Sequence, residues 1–568
     1  MSELRPSPYH KKCPDIDRSA AIFTALNSES SASPLYLPTI NYTCTQIAQI
    51  YGFPPVNTAI SNTVGILSFG GGLYGVPNGY KSTTPYVIPP YTSTSTCDAQ
   101  KYWNSIGIPA NQMPKIIVVT ATVNGNTATN NLSTDPYSIN ATEENIIDVS
   151  IIGGCCPNPK LTIILFICPF FSVSDLLPIV LSGITIGQTH YKPTILNISW
   201  GIPEIGYVNN PNEFTKVNTI LQAATQNGVN ICVAAGDDGS SENMTTLNTS
   251  FPATCPYVTA VGGTNLYCPT LNYNDPATAE VVWNDSYQAT GGGISTKYAK
   301  PAYQNSIPNI TGNYRHIPDI ALNADPYSGI RLFINGQLTP YAYGGTSISA
   351  PIFAAYLALI NPNQFVNPLL YAAAATNFHD ITSGYNYTSS SSTSLYNALS
   401  GYDCCSGLGS INGATLKSIL TPTSTTTTTT TTRATTTTRA TTTTRATTRA
   451  TTRATTTTLP GTTTTTLPHS STTTTTLPVS RKAKTIALNR KSVILKKNSS
   501  FQLTTNFVPS NTTNKKITWV SYNPNIASIS NMSLNSCLVT ANNIGTVKIR
   551  AFTTDYSNIS AEATITVT

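Results

Sequence analysis

Between Tyr36 and about Leu420 the chain alternates continuous apolar, β-branched runs with segments of helical character. The runs fall at 63–69, 115–120, 161–166, 194–199 and 229–235, and helices are expected between them near 142–152, 173–188 and 213–227. Strands that are apolar on both sides, separated by helices, predict an α/β fold: a doubly wound parallel sheet with helices on both faces. Sheets of this kind carry their sites at the carboxyl ends of the strands. One more apolar run, 352–360, follows Gly344-Gly345-Thr346-Ser347 and has the length of a buried helix, which places Ser347 near a helix N-terminus.

The pattern changes on either side of this region. Residues 1–35 are polar and patternless and are expected to form a leader or disordered arm. Residues 421–478 are threonine runs broken by arginines and Leu-Pro pairs, which can bury no core and predict a disordered low-complexity linker, O-glycosylated in one reading. Residues 479–568 return to short alternating runs at 517–520, 526–529, 537–540, 547–550 and 563–567, divided by Asn, Pro and Gly, as in a small all-β sandwich.

Charge divides the chain in the same way. The net charge is +7, but the region after 420 holds 16 basic and 2 acidic residues, leaving the first 420 residues at −7. A basic rear could meet an anionic surface, although a solvated basic face has the same composition. The first residues, Met-Ser-Glu-Leu-Arg-Pro, have no apolar core of the signal-peptide kind, and the longest apolar stretch, 161–171, is too short to span a bilayer. Twelve cysteines, with Cys155-Cys156 and Cys404-Cys405 adjacent, lack metal-finger spacing; disulfides are possible and their pairing is not legible.

Ser347 suits a nucleophile because free N–H groups and the positive end of a helix favour developing negative charge, although a capped core helix has the same residues. A serine needs a base, usually histidine. Of the five histidines, His10 and His469 lie in segments with no expected core, and none has a His-Gly-Thr-His context. Carboxylates offer another route. Glu144 and Asp148, four apart among isoleucines, stack on one helix face where two acids would share a proton; a hydrated acidic turn is the plainer alternative. Asp237, in Gly236-Asp237-Asp238-Gly239 after a buried strand, reads by itself as a turn.

Together these segments resemble the sedolisins, serine-carboxyl peptidases related to subtilisin. The resemblance runs from about Leu37 to Leu416 and is carried by Phe69-Gly70-Gly71-Gly72, the Glu144/Asp148 pair, Ser199-Trp200-Gly201, Gly236-Asp237-Asp238-Gly239, Gly291-Gly292-Gly293-Ile294-Ser295, Pro318-Asp319-Ile320 and Gly345-Thr346-Ser347 in that order. It implies a subtilisin-like fold and a Ser-Glu-Asp triad. Ser347 is then the nucleophile, Glu144 the base, Asp148 its orienting partner and Asp237 a protonated oxyanion donor. It also implies one structural calcium ion, held by the carboxylates of Asp380 and Asp403 and the carbonyls of Ile381, Leu399 and Gly401, with Leu399 replacing the family's usual glycine. Asp319 and Asp325 are expected to be structural, and His379 to pack.

The function implied is an acid-active endopeptidase working through an acyl-enzyme, with a tripeptidyl-peptidase as the runner-up and an inactive, adhesive peptidase fold as the rival from another class. The partner is a polypeptide substrate; a monomer without nucleic acid or a membrane span is expected. The family implies an extracellular or acidic compartment and normally a long prodomain, for which the first forty residues leave no room. The last region, through the turn 509–514 before Trp519 and Gly545-Thr546-Val547, resembles group 2 bacterial immunoglobulin-like domains, modules that bind a surface or glycan or act as spacers.

Overall fold

The computed structural model describes residues 7–8, 10–12, 37–169, 172–207, 211–244, 246–285, 288–373, 375–388, 396–421, 485–508, 517–521, 526–533, 535–553 and 560–568. The proposed linker and the turn at 509–514 lie outside them. The chain divides into two compact units, Met1–Thr423 and Ser424–Thr568.

In the first unit the elements that matter for the site are β1 (Ser7–Pro8), β2 (Lys11–Lys12), β3 (Asn62–Phe69), β4 (Tyr86–Val87), β5 (Lys115–Thr120), α1 (Pro136–Cys155), β6 (Leu161–Cys168), α2 (Val173–Ser182), β7 (Ile195–Ile198), β8 (Trp200–Pro203), α3 (Pro211–Gln226), β9 (Asn230–Ala234), β10 (Thr259–Tyr267), β11 (Ala279–Val282), β12 (Ile320–Asn323), β13 (Tyr343–Gly344) and α4 (Thr346–Ile360). The sheet runs β11-β10-β9-β7-β3-β6-β5-β4, with β12 also beside β10. Its central pairs are parallel, and only β11 and β4 at the ends are antiparallel. Along β3 and β6 successive side chains go to opposite faces: Ile66, Ile163 and Leu165 pack with α1 and α4, while Leu67, Ile164 and Phe166 pack with α2 and α3. This two-sided burial is why the strands read as continuous apolar runs.

The helices have legible causes. Asp135 caps α1 by accepting from Ser138 N at 3.0 Å, and Pro136 occupies the first turn, where its missing N–H costs nothing. The helix therefore starts six residues before the expected 142. All fifteen residues of α4 are buried, so its apolar run is a core helix without a polar face. The expected helix 173–188 stops at Ser182 instead. Gly183 takes φ +72°, and a hairpin, 184–186 with 189–191, follows because Gly187 at φ +61° makes a tight turn.

All eleven described cysteines are buried free thiols, so the disulfides considered from sequence do not form among them. Burial pushes the Cys156 thiol up to about 12 and those of Cys155 and Cys405 well up, leaving little thiolate for redox chemistry. No helix among the described residues is long and apolar enough to cross a membrane.

The second unit holds two four-stranded sheets, 485–488/500–508/536–541/527–533 and 492–495/560–567/545–553/517–521. They enclose Leu503, Trp519, Cys537, Val539, Ile549 and Ile565. Three of these strands, 485–488, 492–495 and 500–508, go beyond the runs picked out in the sequence.

Candidate active site

The site lies at the carboxyl ends of β7 and β9, on the face covered by α1 and α4. Gly345, at φ +95°, turns the chain from β13 into α4, a conformation that side-chain-bearing residues rarely adopt. It leaves Ser347 in the first turn of α4, fully buried, with its Oγ donating to the carbonyl of Ser199 at 3.3 Å. Ser199 follows β7, so the nucleophile candidate faces a strand end.

Asp237 lies three residues beyond β9. Its Oδ1 accepts from Thr346 N and Thr346 Oγ1, both at 2.7 Å, which ties the acid to the residue before Ser347. Its Oδ2 is buried and has no hydrogen-bond partner among the described residues. Gly236 beside it has φ +114°, and a Cβ there would lie 1.9 Å from Glu242 Oε1, so glycine alone fits this turn. Burial raises the Asp237 carboxyl to about 6, against the charge of Lys11 and the Thr346 hydrogen bonds.

Glu144 and Asp148 come from one face of α1, and both are fully buried. Asp148 Oδ1 accepts from Ser199 Oγ at 2.7 Å, and Asn197 Nδ2 donates to Ser199 Oγ at 3.0 Å. Burial, and then the charge of Glu144, push the Asp148 carboxyl well up, so Asp148 keeps its proton longest. Burial also raises Glu144, against His10 and the nearby hydroxyls of Ser347 and Ser199. The four residues expected to act together therefore converge on one buried centre. Burial favours the protonated form of each acid there.

Sequence reasoning missed the cleft's occupant. The polar arm, expected to be patternless, crosses the site: Ser7 and Pro8 pair antiparallel with Gly201 and Trp200 of β8, and Lys11 and Lys12 with Gly344 and Tyr343 of β13. His10, set aside for want of a core, has a side chain only 5 % exposed, with Nδ1 2.8 Å from Glu144 Oε2 and Nε2 3.3 Å from Glu143 Oε2. Burial disfavours its charge, but the two glutamates overcome that and push it up to about 9, so it stands as an imidazolium. Lys12 Nζ reaches Glu143 Oε1 at 2.9 Å, and Lys11 Nζ lies 3.6 Å from Asp238 Oδ1. The available signal was charge: His10-Lys11-Lys12 is a basic run in an acidic region.

The residues set aside as structural are held in other networks. Asp319 receives both guanidinium nitrogens of Arg315, at 3.0 and 2.7 Å, and the hydroxyl of Tyr371. Asp325 takes Asn265 Nδ2 and Tyr327 N. His379 stacks on Tyr273 at 3.4 Å.

The two loops named for calcium do meet. Asp380 Oδ2 accepts from Gly401 N at 2.9 Å, and Asp403 Oδ2 accepts from Leu399 N at 2.8 Å. Asn309 takes the carbonyls of Ser400 and Tyr402, while no described backbone N–H donates to those of Ile381, Leu399 or Gly401. This donor set, two carboxylates and three carbonyls, has the hard-oxygen chemistry that calcium takes. Among the described residues no cluster of three or more His, Cys, Asp or Glu side chains could hold a metal ion, so any such site depends on those carbonyls.

Both units of the chain are similar to known proteins. Residues 178–368 match the subtilase family, a stretch that contains Asp237 and Ser347 and begins after Glu144 and Asp148. Residues 482–565 match the bacterial Ig-like domain (group 2). The chain is 33% identical to kumamolisin of Bacillus sp. (strain MN-32) over 374 residues, covering 63% of this chain and 59% of that protein. It is 32% identical to sedolisin of Pseudomonas sp. (strain 101) over 214 residues, 34% and 35% of the two chains. It is also 32% identical to tripeptidyl-peptidase 1 of Homo sapiens over 197 residues, 30% and 32%. The chain thus spans less than two thirds of the length of each. In structure, Pseudomonas sedolisin, a serine-carboxyl proteinase solved with two molecules of pseudo-iodotyrostatin, superposes with a TM-score of 0.52 at 24% identity, covering 67% of this chain and 98% of that one. The first unit has this subtilisin-like α/β fold.

Proposed function

We propose that this chain, whose first unit belongs to the sedolisin family of subtilase-related peptidases and whose second carries a group 2 bacterial immunoglobulin-like domain, is an acid-active endopeptidase working through an acyl-enzyme. The observation that carries the reading is the buried Oδ2 of Asp237, which has no hydrogen-bond partner among the described residues, on an acid tied through Thr346 to Ser347. A protonated carboxyl there can donate to an oxyanion; an ionised one would repel it.

The steps follow from the groups present. Ser347 Oγ attacks the peptide carbonyl while Glu144 takes its proton, and protonated Asp148 holds Glu144 in place. The carbonyl oxygen, now negative, is met by Asp237. Glu144 returns the proton to the departing amine, leaving an acyl-serine. Water then enters by the same route in reverse and frees the acid and the serine.

Substrate must replace the arm. Removal of tripeptides would need a cleft closed at one end, which product length distinguishes from internal cleavage.

The test is a pH series of peptide hydrolysis with products identified by mass. Cleavage is expected to be faster in acid than at neutral pH and to yield internal fragments. A faster rate at neutral pH overturns the mechanism, and products three residues long from the amino terminus alone would make the enzyme a tripeptidyl-peptidase.

A calcium ion between Asp380 and Asp403, completed by the carbonyls of Ile381, Leu399 and Gly401, would cross-brace the two loops. Binding to the folded form alone contributes about 2.7 kcal/mol when calcium exceeds its Kd a hundredfold. Thermal melts are therefore expected to shift down by several degrees on chelation and to recover with calcium but not magnesium. Identical melts in all three conditions would remove the ion from this reading.

A further inference from the structure

The arm's backbone makes only generic strand pairings with β8 and β13, which any peptide could make. Its side chains are specific. Lys12 Nζ meets Glu143 Oε1 at 2.9 Å and stands 5.5 and 6.0 Å from the ring centroids of Tyr341 and Tyr343, a carboxylate flanked by two aromatic faces. Lys11 Nζ lies 3.6 Å from Asp238 Oδ1. Neither acid has a part in breaking the bond, yet each sits next in sequence to one that does: Glu143 beside Glu144, and Asp238 beside Asp237.

Direction gives this a meaning. The arm runs from β8 through His10, which meets Glu144, to β13, so the lysines lie on the carboxyl side of the residue that faces the base. A substrate strand running the same way lays the residues of its leaving half against Glu143 and Asp238. We propose that these two acids are specificity-determining residues, which select polypeptides with lysine or arginine within a few residues on the carboxyl side of the cleaved bond. The inference rests on the peptidase reading above and adds its substrate class.

The Glu143 side chain is only 6 % exposed. With the arm gone, a neutral residue in this slot leaves its carboxylate poorly solvated, whereas a lysine or arginine satisfies it with a charge-assisted hydrogen bond. A preference of about tenfold per position follows.

The test uses the full chain at about pH 5, where an ordinary carboxylate is ionised. A random-sequence peptide mixture is digested, and the residues around each cut are read by mass spectrometry. Lysine and arginine are expected to be enriched within the first three positions of the carboxyl-side product. In matched peptides, kcat/KM for lysine over norleucine at the enriched position is expected to be about 10. That ratio should fall toward one in Glu143→Gln or Asp238→Asn. Cuts without basic enrichment, equal rates for lysine and norleucine in the unaltered protein, or a ratio unchanged in both variants would each overturn the inference while leaving the peptidase standing. No cleavage of any peptide would overturn both.

Discussion

Ser347→Ala is expected to lower kcat for peptide cleavage in acid by about a millionfold, the scale on which serine proteases fail when the nucleophile is removed. The size follows from the site: Ser347 adjoins the residue that Asp237 holds, and without it Glu144 and Asp148 lose the hydroxyl placed beside the oxyanion donor. The fold should barely change, because the hydroxyl's contacts are few: the Ser199 carbonyl at 3.3 Å and the Glu144 carboxyl. Rates from a single-turnover assay, together with a thermal melt, separate the two effects. A variant within tenfold of the unaltered protein would assign the chemistry elsewhere and favour the adhesive reading of the chain.

Asp237 gives the second large effect. Asp237→Ala removes the oxyanion donor and is expected to cost about 10²–10³ in kcat. Asp237→Asn tests the proton itself. The asparagine Oδ1 can still accept from Thr346, and its Nδ2 can donate from the place of Oδ2 at any pH.

The sign of the pH dependence follows from the raised carboxyl. Asp237 must be protonated to act, so activity is present below its pKa and falls about tenfold per pH unit above it. With the arm in place that value is about 6, held down in part by Lys11. A substrate without a basic residue in the place of Lys11 would lack that charge, which moves the value higher. The unaltered enzyme should therefore decline through and above about pH 6, and the asparagine variant should lose that decline while keeping the acid-side rise set by the Glu144–Asp148 pair. Parallel declines in both proteins would show that Asp237 is not the group that titrates.

The same residues show what could be read from order along the chain. The strands 63–69, 115–120 and 161–166 were legible because both faces of the parallel sheet are covered, so each strand is apolar throughout. The helix after Ser347 was legible for the same reason. For Glu144 and Asp148 the spacing of four among isoleucines offered a shared buried face, but a hydrated acidic turn was the plainer reading until the resemblance to the sedolisins singled the pair out. The region 173–188 misled because its hydrophobic pattern does not end at Gly183, and only the positive φ there stops the helix.

What no local pattern held was the destination of the arm. His10-Lys11-Lys12 has no hydrophobic period, and its partners Glu143 and Glu144 lie more than 130 residues away. A polar segment is placed by charges and strand edges elsewhere, and these exist only once β8, β13 and α1 have been assembled. Likewise Asp237 looked like a turn residue until β9 and α4 brought it against Thr346 and buried its second oxygen. The amino-acid sequence by itself determined the sheet and its covering helices, because burial writes itself into local periodicity, and the order of its motifs named the three acids and the serine. Tertiary structure alone decided which acid keeps a proton and which segment fills the cleft, because desolvation and long-range charge act through space.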